Sequence, residues 1–244
     1  MNVTLPKHKI ALGATGGLAV AASVLLFPAA PAAADTTLSA EAKNLDCAQV
    51  ECVALTFDDG PGPHTDEVLD ALDDHDAKAT FYVLGSKVGD FTDTVERMAD
   101  EGHEVGNHTW DHDDLATLSG DAIRDDLART DKAIEDVTGE TPTTMRPPYG
   151  SLNDTAREAI DKPIVLWDVD TLDWQSRDSD AVTDVTLQET DKGSVVLFHD
   201  IHESTVDAVP DILDGLAEDG YRFVTVSELA GEDMEPGTAI TDAR

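Results

Sequence analysis

Basic residues are scarce in this chain of 244 residues: 16 Lys and Arg stand against 51 Asp and Glu, a formal charge of −35. A surface of that sign repels nucleic acid, polyanions and anionic membrane faces, which sets those partner classes aside and favours neutral or cationic ones. The acids are spread along the chain (Asp70, Asp73, Asp74 and Asp76; Asp121, Asp125 and Asp126; Asp211 and Asp214) and not gathered in a tail. The charge therefore belongs to a folded surface, and it suits a saline habitat where salt screens the self-repulsion. Cysteine is nearly absent as well. With only Cys47 and Cys52, four residues between them and just before the first apolar run, a thiolate metal site has no partner ligands. A short disulfide clip is expected instead, acting as local pinning because so small a loop removes little chain entropy.

The start of the chain reads as a targeting segment. Lys7 and Lys9 precede an uncharged Ala, Val and Leu stretch from Ile10 to Phe27, and small residues at Ala32-Ala33-Ala34 precede Asp35. Residues 1–34 are expected to be a cleaved secretory signal, making the mature protein extracellular without stable membrane association. A membrane anchor fits less well, because the apolar part is short and broken by Pro28 and Pro31. Cleavage removes two lysines and no acids, taking the formal charge from −35 to −37. A leader at 35–45, one folded domain at 46–230 and a polar tail at 231–244 complete the expected organisation.

Short β-branched runs alternate with amphipathic stretches through the remainder. Strands are expected at 53–57, 79–84, 104–106, 144–146, 164–168, 194–198 and 223–226. Helices are expected near 65–75, 91–101, 119–138, 153–161, 179–191 and 204–218. Strands reached through helices imply a parallel sheet with helical crossovers. The polar residues fall at the carboxyl ends of those strands: Asp58 and Asp59 after the first, His108 after the third, Arg146 at the end of the fourth, Asp170 and Asp173 after the fifth, His199 after the sixth. Such ends converge on one mouth in a barrel, and a distorted (β/α) barrel of about seven parallel strands is therefore preferred to an open sheet. Two adjacent aspartates and a spaced histidine pair outline a one-carboxylate, two-histidine metal site with a spare carboxylate beside it.

Thr56-Phe57-Asp58-Asp59-Gly60-Pro61, the pair His108 and His112, Arg146-Pro147-Pro148-Tyr149-Gly150, Asp170 with Asp173-Trp174, and Leu197-Phe198-His199 resemble the five ordered motifs of polysaccharide deacetylases, the NodB-homology domain or carbohydrate esterase family four. The resemblance covers roughly residues 46–230. It implies a distorted (β/α) barrel and a single divalent metal, zinc above all with cobalt or nickel as alternatives, held by Asp59, His108 and His112. Chemistry agrees, since histidines at i and i+4 share one face of a helical turn and a carboxylate from another strand completes three ligands.

By the same resemblance Asp58 is the general base that deprotonates the attacking water, and His199 the general acid that protonates the departing sugar nitrogen. Arg146 is similar to the residue that holds the base and keeps it ionised, and Asp173 to the one that orients His199. Trp174 and Leu197 would form the apolar pocket for the acetyl methyl. Tyr149 would stabilise the oxyanion through its backbone N–H, so that its ring is dispensable. One departure is plain: Asp111 and Asp113 flank His112 where the family commonly has serine and proline. Extra carboxylates there should strengthen cation retention. His64, His75 and His103 lack ligand spacing and are expected to be structural or solvated, whereas His202, three residues past His199, is placed beside the groove.

The implied reaction is metal-dependent hydrolysis of N-acetyl groups from glycans containing N-acetylglucosamine, chitin oligosaccharides or peptidoglycan, with no organic cofactor. The strong negative charge leans toward neutral chains. An acetylxylan esterase using the same site is the nearest alternative. A glycan-binding module without turnover is a different class, opposed by the presence of both Asp58 and His199. A magnesium phosphatase is opposed by the histidine ligands. A monomer whose only partner is the acetylated glycan is expected.

Overall fold

The computed structural model describes residues 45–231 and 234–244. The expected signal segment, and the leader up to residue 44, lie outside the described residues. Strand β1 (Cys52–Asp58) is buried throughout and forms the centre. Helix α1 (Thr65–Asp74) follows, then β2 (Thr80–Val83), the single-turn α2 (Gly85–Val88), α3 (Thr92–Asp100) and β3 (Glu104–Asn107). The long α4 (Gly120–Thr138) starts where Ser119 Oγ accepts from Ala122 N–H and ends at left-handed Gly139 (φ 77°), and its Ile123, Leu127, Thr130 and Ile134 face inward at helical spacing. Then come α5 (Asp154–Ala159), β4 (Ile164–Val165), β5 (Val169–Asp170), α6 (Asp173–Ser176), α7 (Ser179–Glu189), β6 (Val195–His199), α8 (Glu203–Glu218), β7 (Arg222–Phe223), α9 (Val226–Ala230) and β8 (Ala239–Ile240).

The strands pair in the order β3-β2-β1-β6-β5, all parallel, with β7 against the start of β1 and β4 against β8. Isolated bridges at Met145, to Asn107 on one side and Ile164 on the other, carry the curve from β3 to β4. The result is a distorted parallel α/β barrel that continuous ladders do not close. Alternation along β1 sorts its side chains. Val53, Leu55 and Phe57 pack outward with Leu69 and Leu72 of α1 and Ile212 of α8, while Cys52 and Ala54 turn inward beside Tyr82 and Val195. Thr56 and Asp58 continue the inward row. On the outward side Phe57 stacks on Phe81 and Phe198, at 5.1 and 5.4 Å between ring centres.

Four sequence expectations are corrected here. The strand expected at 144–146 is only the bridge at Met145. The strand expected at 164–168 splits, because the Asp168 side chain accepts from Val195 N–H (2.7 Å) and Ser194 Oγ (2.8 Å) and so breaks the ladder. The strand expected at 223–226 stops early, since Thr225 and Glu228 form a reciprocal capping box that starts α9. Residues 231–244 are more than a polar tail: Ala239 and Ile240 pair with Ile164 and Val165, and the Arg244 guanidinium reaches Asp168 at 2.9 Å. Cys47 and Cys52 form the expected disulfide.

Candidate active site

Register builds the first half of the site. In the β1–β6 ladder Asp58 stands opposite His199, so the inward-facing ends of two neighbouring parallel strands carry a carboxylate and an imidazole side by side. Asp59 then takes a left-handed conformation (φ 68°), and its Oδ1 and Asp58 Oδ2 both approach His108 Nε2, at 3.4 and 3.6 Å. Of the seven non-glycine residues with positive φ among the described residues, six belong to this end of the barrel: Asp59, Thr109, His112, Tyr149, Leu172 and Arg177. Strain concentrated at one place is retained where the surrounding structure uses it.

The two histidines arrive by a loop, which corrects the expectation of a helical turn. Thr109 (φ 70°) and His112 (φ 64°) reverse the chain after β3. Asn107 fixes the reversal: its Oδ1 accepts from Thr109 N–H (2.8 Å) while its Nδ2 donates to Leu127 O and to Asp131. Thr109 Oγ1 then accepts from His112 N–H at 3.1 Å. His112 Nε2 comes 3.1 Å from Asp59 Oδ1 and His108 Nε2 comes 3.4 Å from the same atom. His108 Nδ1 lies 2.7 Å from the Arg146 carbonyl, which only accepts, so the ring proton sits on Nδ1 and Nε2 offers a lone pair.

Asp59, His108 and His112 place one ligand atom each within 4.8 Å of one another. Asp59 Oδ1 is buried without a hydrogen-bond partner despite the two nearby imidazoles. An orphaned carboxylate oxygen between two imidazole nitrogens fits a divalent cation, and two nitrogens with one carboxylate are the donors zinc or cobalt prefers. Lys87 Nζ donates to Asp59 O at 2.7 Å and steadies the turn. Behind it Asp200 is fully buried and touches Gly60, where any Cβ would meet its carboxylate at 2.6 Å. Thr65 Oγ1 donates to that carboxylate and accepts from Gly62 N–H.

Arg146 is fully buried in the barrel interior. Its Nη1 donates to Asp58 Oδ1 (2.8 Å) and Thr56 Oγ1 (2.7 Å), Nε to Val165 O (3.1 Å) and Nη2 to Leu166 O (2.9 Å). The guanidinium carbon lies 4.4 Å from the Tyr82 ring centre. One cation thereby ties β1 to the segment around β4 and orients the spare carboxylate. Asp173, also fully buried, holds His199 twice: Oδ1 faces His199 Nδ1 at 2.8 Å and Oδ2 accepts from His199 N–H at 2.7 Å. Thr205 Oγ1 and Trp174 N–H complete its shell. Burial opposes charge on His199, but the hydrogen bond and charge of Asp173, aided by Asp58 and Asp59, prevail and push it up to about 9. Burial likewise opposes charge on Asp173, yet His199 keeps it below the usual carboxylate range.

The remaining expected residues divide. Leu197 is buried, and Trp174 is half-exposed on α6 next to Asp173. Tyr149 is exposed (71 %), but its ring stands edge-on against His112 at 4.5 Å between centres, so the ring is not idle as the sequence implied. Asp111 and Asp113 are exposed and stand outside the ligand triad; their charge is felt by the Asp126 carboxyl, which is pushed up first by burial and then by them. His103 is buried and accepts from Ala79 N–H, a structural histidine as expected. Sequence reading missed Thr56, Lys87, Asn107, Asp200 and Thr205. Local signals existed for Thr56, which opens the first motif, and for Asn107 and Asp200, which stand beside His108 and His199; Lys87 and Thr205 carried none.

The profile of the polysaccharide deacetylase family matches residues 46–163. The chain is 46 % identical over 191 residues to the peptidoglycan-N-acetylglucosamine deacetylase PgdA of Listeria monocytogenes, covering 78 % of this chain and 41 % of that protein. It is 46 % identical to the solved T48 deacetylase with substrate, with a TM-score of 0.79 over 81 % of this chain and all of that one. The chain belongs to the polysaccharide deacetylase family. Among its relatives, the chitin deacetylase of Pestalotiopsis sp is 37 % identical over 76 % of this chain and 66 % of its own. A family 4 acetyl xylan esterase from Clostridium thermocellum, solved in complex with a cobalt ion, is 34 % identical with a TM-score of 0.75 over 78 % of this chain and 98 % of that one. The chain spans about two fifths of the length of the Listeria deacetylase.

Proposed function

We propose that this protein is an exported, metal-dependent deacetylase that hydrolyses N-acetyl groups of glycans containing N-acetylglucosamine and releases acetate. The observation that carries the reading is the facing of Asp58 and His199 in register across β1 and β6, with the Asp59–His108–His112 triad beside them. A divalent cation such as zinc, held by those three residues, would supply Lewis-acid polarisation of the acetyl carbonyl and a more acidic water. Asp58, held by Arg146, takes the proton of the attacking water. The Tyr149 backbone N–H serves the developing oxyanion, and Trp174 with Leu197 receives the methyl group. His199 then passes its Nε2 proton to the leaving nitrogen, with Asp173 holding Nδ1–H.

Export rests on the N-terminal segment 1–34 alone. Peptidoglycan and chitin are favoured as substrates by the named activities of the relatives, and acetylated xylan stands as the second reading because an esterase shares the fold. Acetate release from chitohexaose, peptidoglycan and acetylated xylan tests this directly. Turnover of the N-acetylated glycans above that of xylan is the expected result; acetate from none of the three would refute it.

The pH profile has a signed expectation. Against burial, Asp173 raises the His199 value to about 9, so its proton persists on the alkaline side of the ordinary imidazole range, and about 9 is the upper bound for the pH at which activity falls. A bound cation pulls this limb lower by repulsion. Asp173→Asn removes the anion that raises it, so the alkaline limb should move toward neutral pH with kcat reduced. An unmoved limb would detach His199 from proton donation.

A further inference from the structure

Arg177 has no role in the chemistry derived above, yet it sits within reach of it. It closes α6 in a left-handed conformation (φ 53°), and its exposed side chain folds back so that Nε donates to Trp174 O at 2.9 Å and Nη1 donates to His202 Nδ1. A guanidinium has only donors, so His202 Nδ1 is the acceptor and the proton of that ring is on Nε2. Burial, and then the Arg177 charge, hold His202 below its ordinary value and keep it neutral. The His202 and His199 ring centres are 6.0 Å apart, which puts the guanidinium one side chain from the proton donor. Both partners of Arg177 are uncharged. Among the described residues no carboxylate lies within ion-pair distance of it, in a chain that carries 51 acids.

A pinned guanidinium with uncompensated charge is prepared for a planar anion, because its orientation is already fixed and two neutral acceptors leave its charge unspent. Resting on the deacetylase reading, we propose that Arg177, steadied by His202 and the Trp174 carbonyl, binds a carboxylate of the glycan close to the scissile acetamido group. The preferred substrate is then an acidic N-acetylated glycan of the muramyl type, bearing lactyl or peptide carboxylates, and not a neutral chitin chain. The overall negative charge does not oppose this at working salt: long-range repulsion is screened beyond about 8 Å at 0.15 M, whereas a direct contact is not.

The test compares one ligand with and without its charge. Binding of an N-acetylglucosaminyl-N-acetylmuramyl tetrasaccharide and of its methyl ester is measured by calorimetry at about 0.15 M salt. The protein is the zinc-loaded full chain carrying Asp58→Asn, so that neither ligand is consumed. The free acid should bind about tenfold more tightly than the ester; adding Arg177→Gln should bring the two within twofold, and Arg177→Lys should keep part of the preference. Equal binding of acid and ester before Arg177 is changed, equal weakening of both by Arg177→Gln, or no binding of the acid would each overturn the proposal. Acetate release by the unmodified enzyme is scored separately, so failure of the deacetylase reading shows there and failure of the carboxylate site shows in the ratio.

Discussion

Arg146→Met is expected to lower stability by about 3–5 kcal/mol and to remove nearly all activity. The stability figure follows from breaking a buried ion pair by deleting one partner. Arg146 is fully buried, Asp58 nearly so, and the change leaves the Asp58 carboxylate, Thr56 Oγ1 and the carbonyls of Val165 and Leu166 without their donor. For a domain of this size the thermal midpoint should drop by roughly 10 °C. Arg146→Lys should recover little, because one ammonium cannot span four acceptors arranged for a planar fork. Thermal unfolding and acetate release measured together check both halves. A midpoint within about 2 °C of the parent would mean that the pair is not part of what holds the barrel interior.

Asp58→Asn is expected to act on chemistry far more than on folding. The amide keeps the shape of the carboxylate and its Oδ1 still accepts from Arg146, so the fold persists, but it takes no proton. Loss of a general base costs about 10²–10⁴ in kcat. Metal binding should survive, because Asp58 lies outside the ligand triad. Calorimetric titration of the variant with zinc, alongside acetate release, separates the two outcomes: full binding with lost turnover is expected. Turnover within tenfold of the parent would remove Asp58 from its role. In a double-mutant cycle with Arg146→Met the stability losses should fall short of additive, since the second change removes the charge that the first one stranded.

Much of this was legible in the sequence because the chemistry sits where patterns end. Apolar runs located β1, β2, β3 and β6, and each polar residue that follows such a run in a parallel barrel must emerge at the same face. Asp58, Asp59, His108 and His199 were therefore placeable without coordinates. What failed was set by distant contacts. The Asp168 side chain breaks a strand by bonding backbone at Val195, a partner 27 residues away. Two residues near the end of the chain, Ala239 and Ile240, make a strand only because β4 offers an edge; their polar surroundings read as tail. The left-handed Thr109 has no signature of its own, so His108 and His112 looked like a helical pair. Asp200 and Thr65 meet across 135 residues, and no local reading joins them.

The claim on which the rest depends is that Asp59, His108 and His112 share one divalent cation beside Asp58 and His199. Acetate release from chitohexaose, followed as the purified enzyme is stripped with a chelator and then titrated with zinc, tests it most directly. Activity should vanish on stripping and return in full at one equivalent, and His112→Ala should need far more zinc for any recovery. Undiminished acetate release from the stripped enzyme, or recovery in His112→Ala at the same single equivalent, would contradict it.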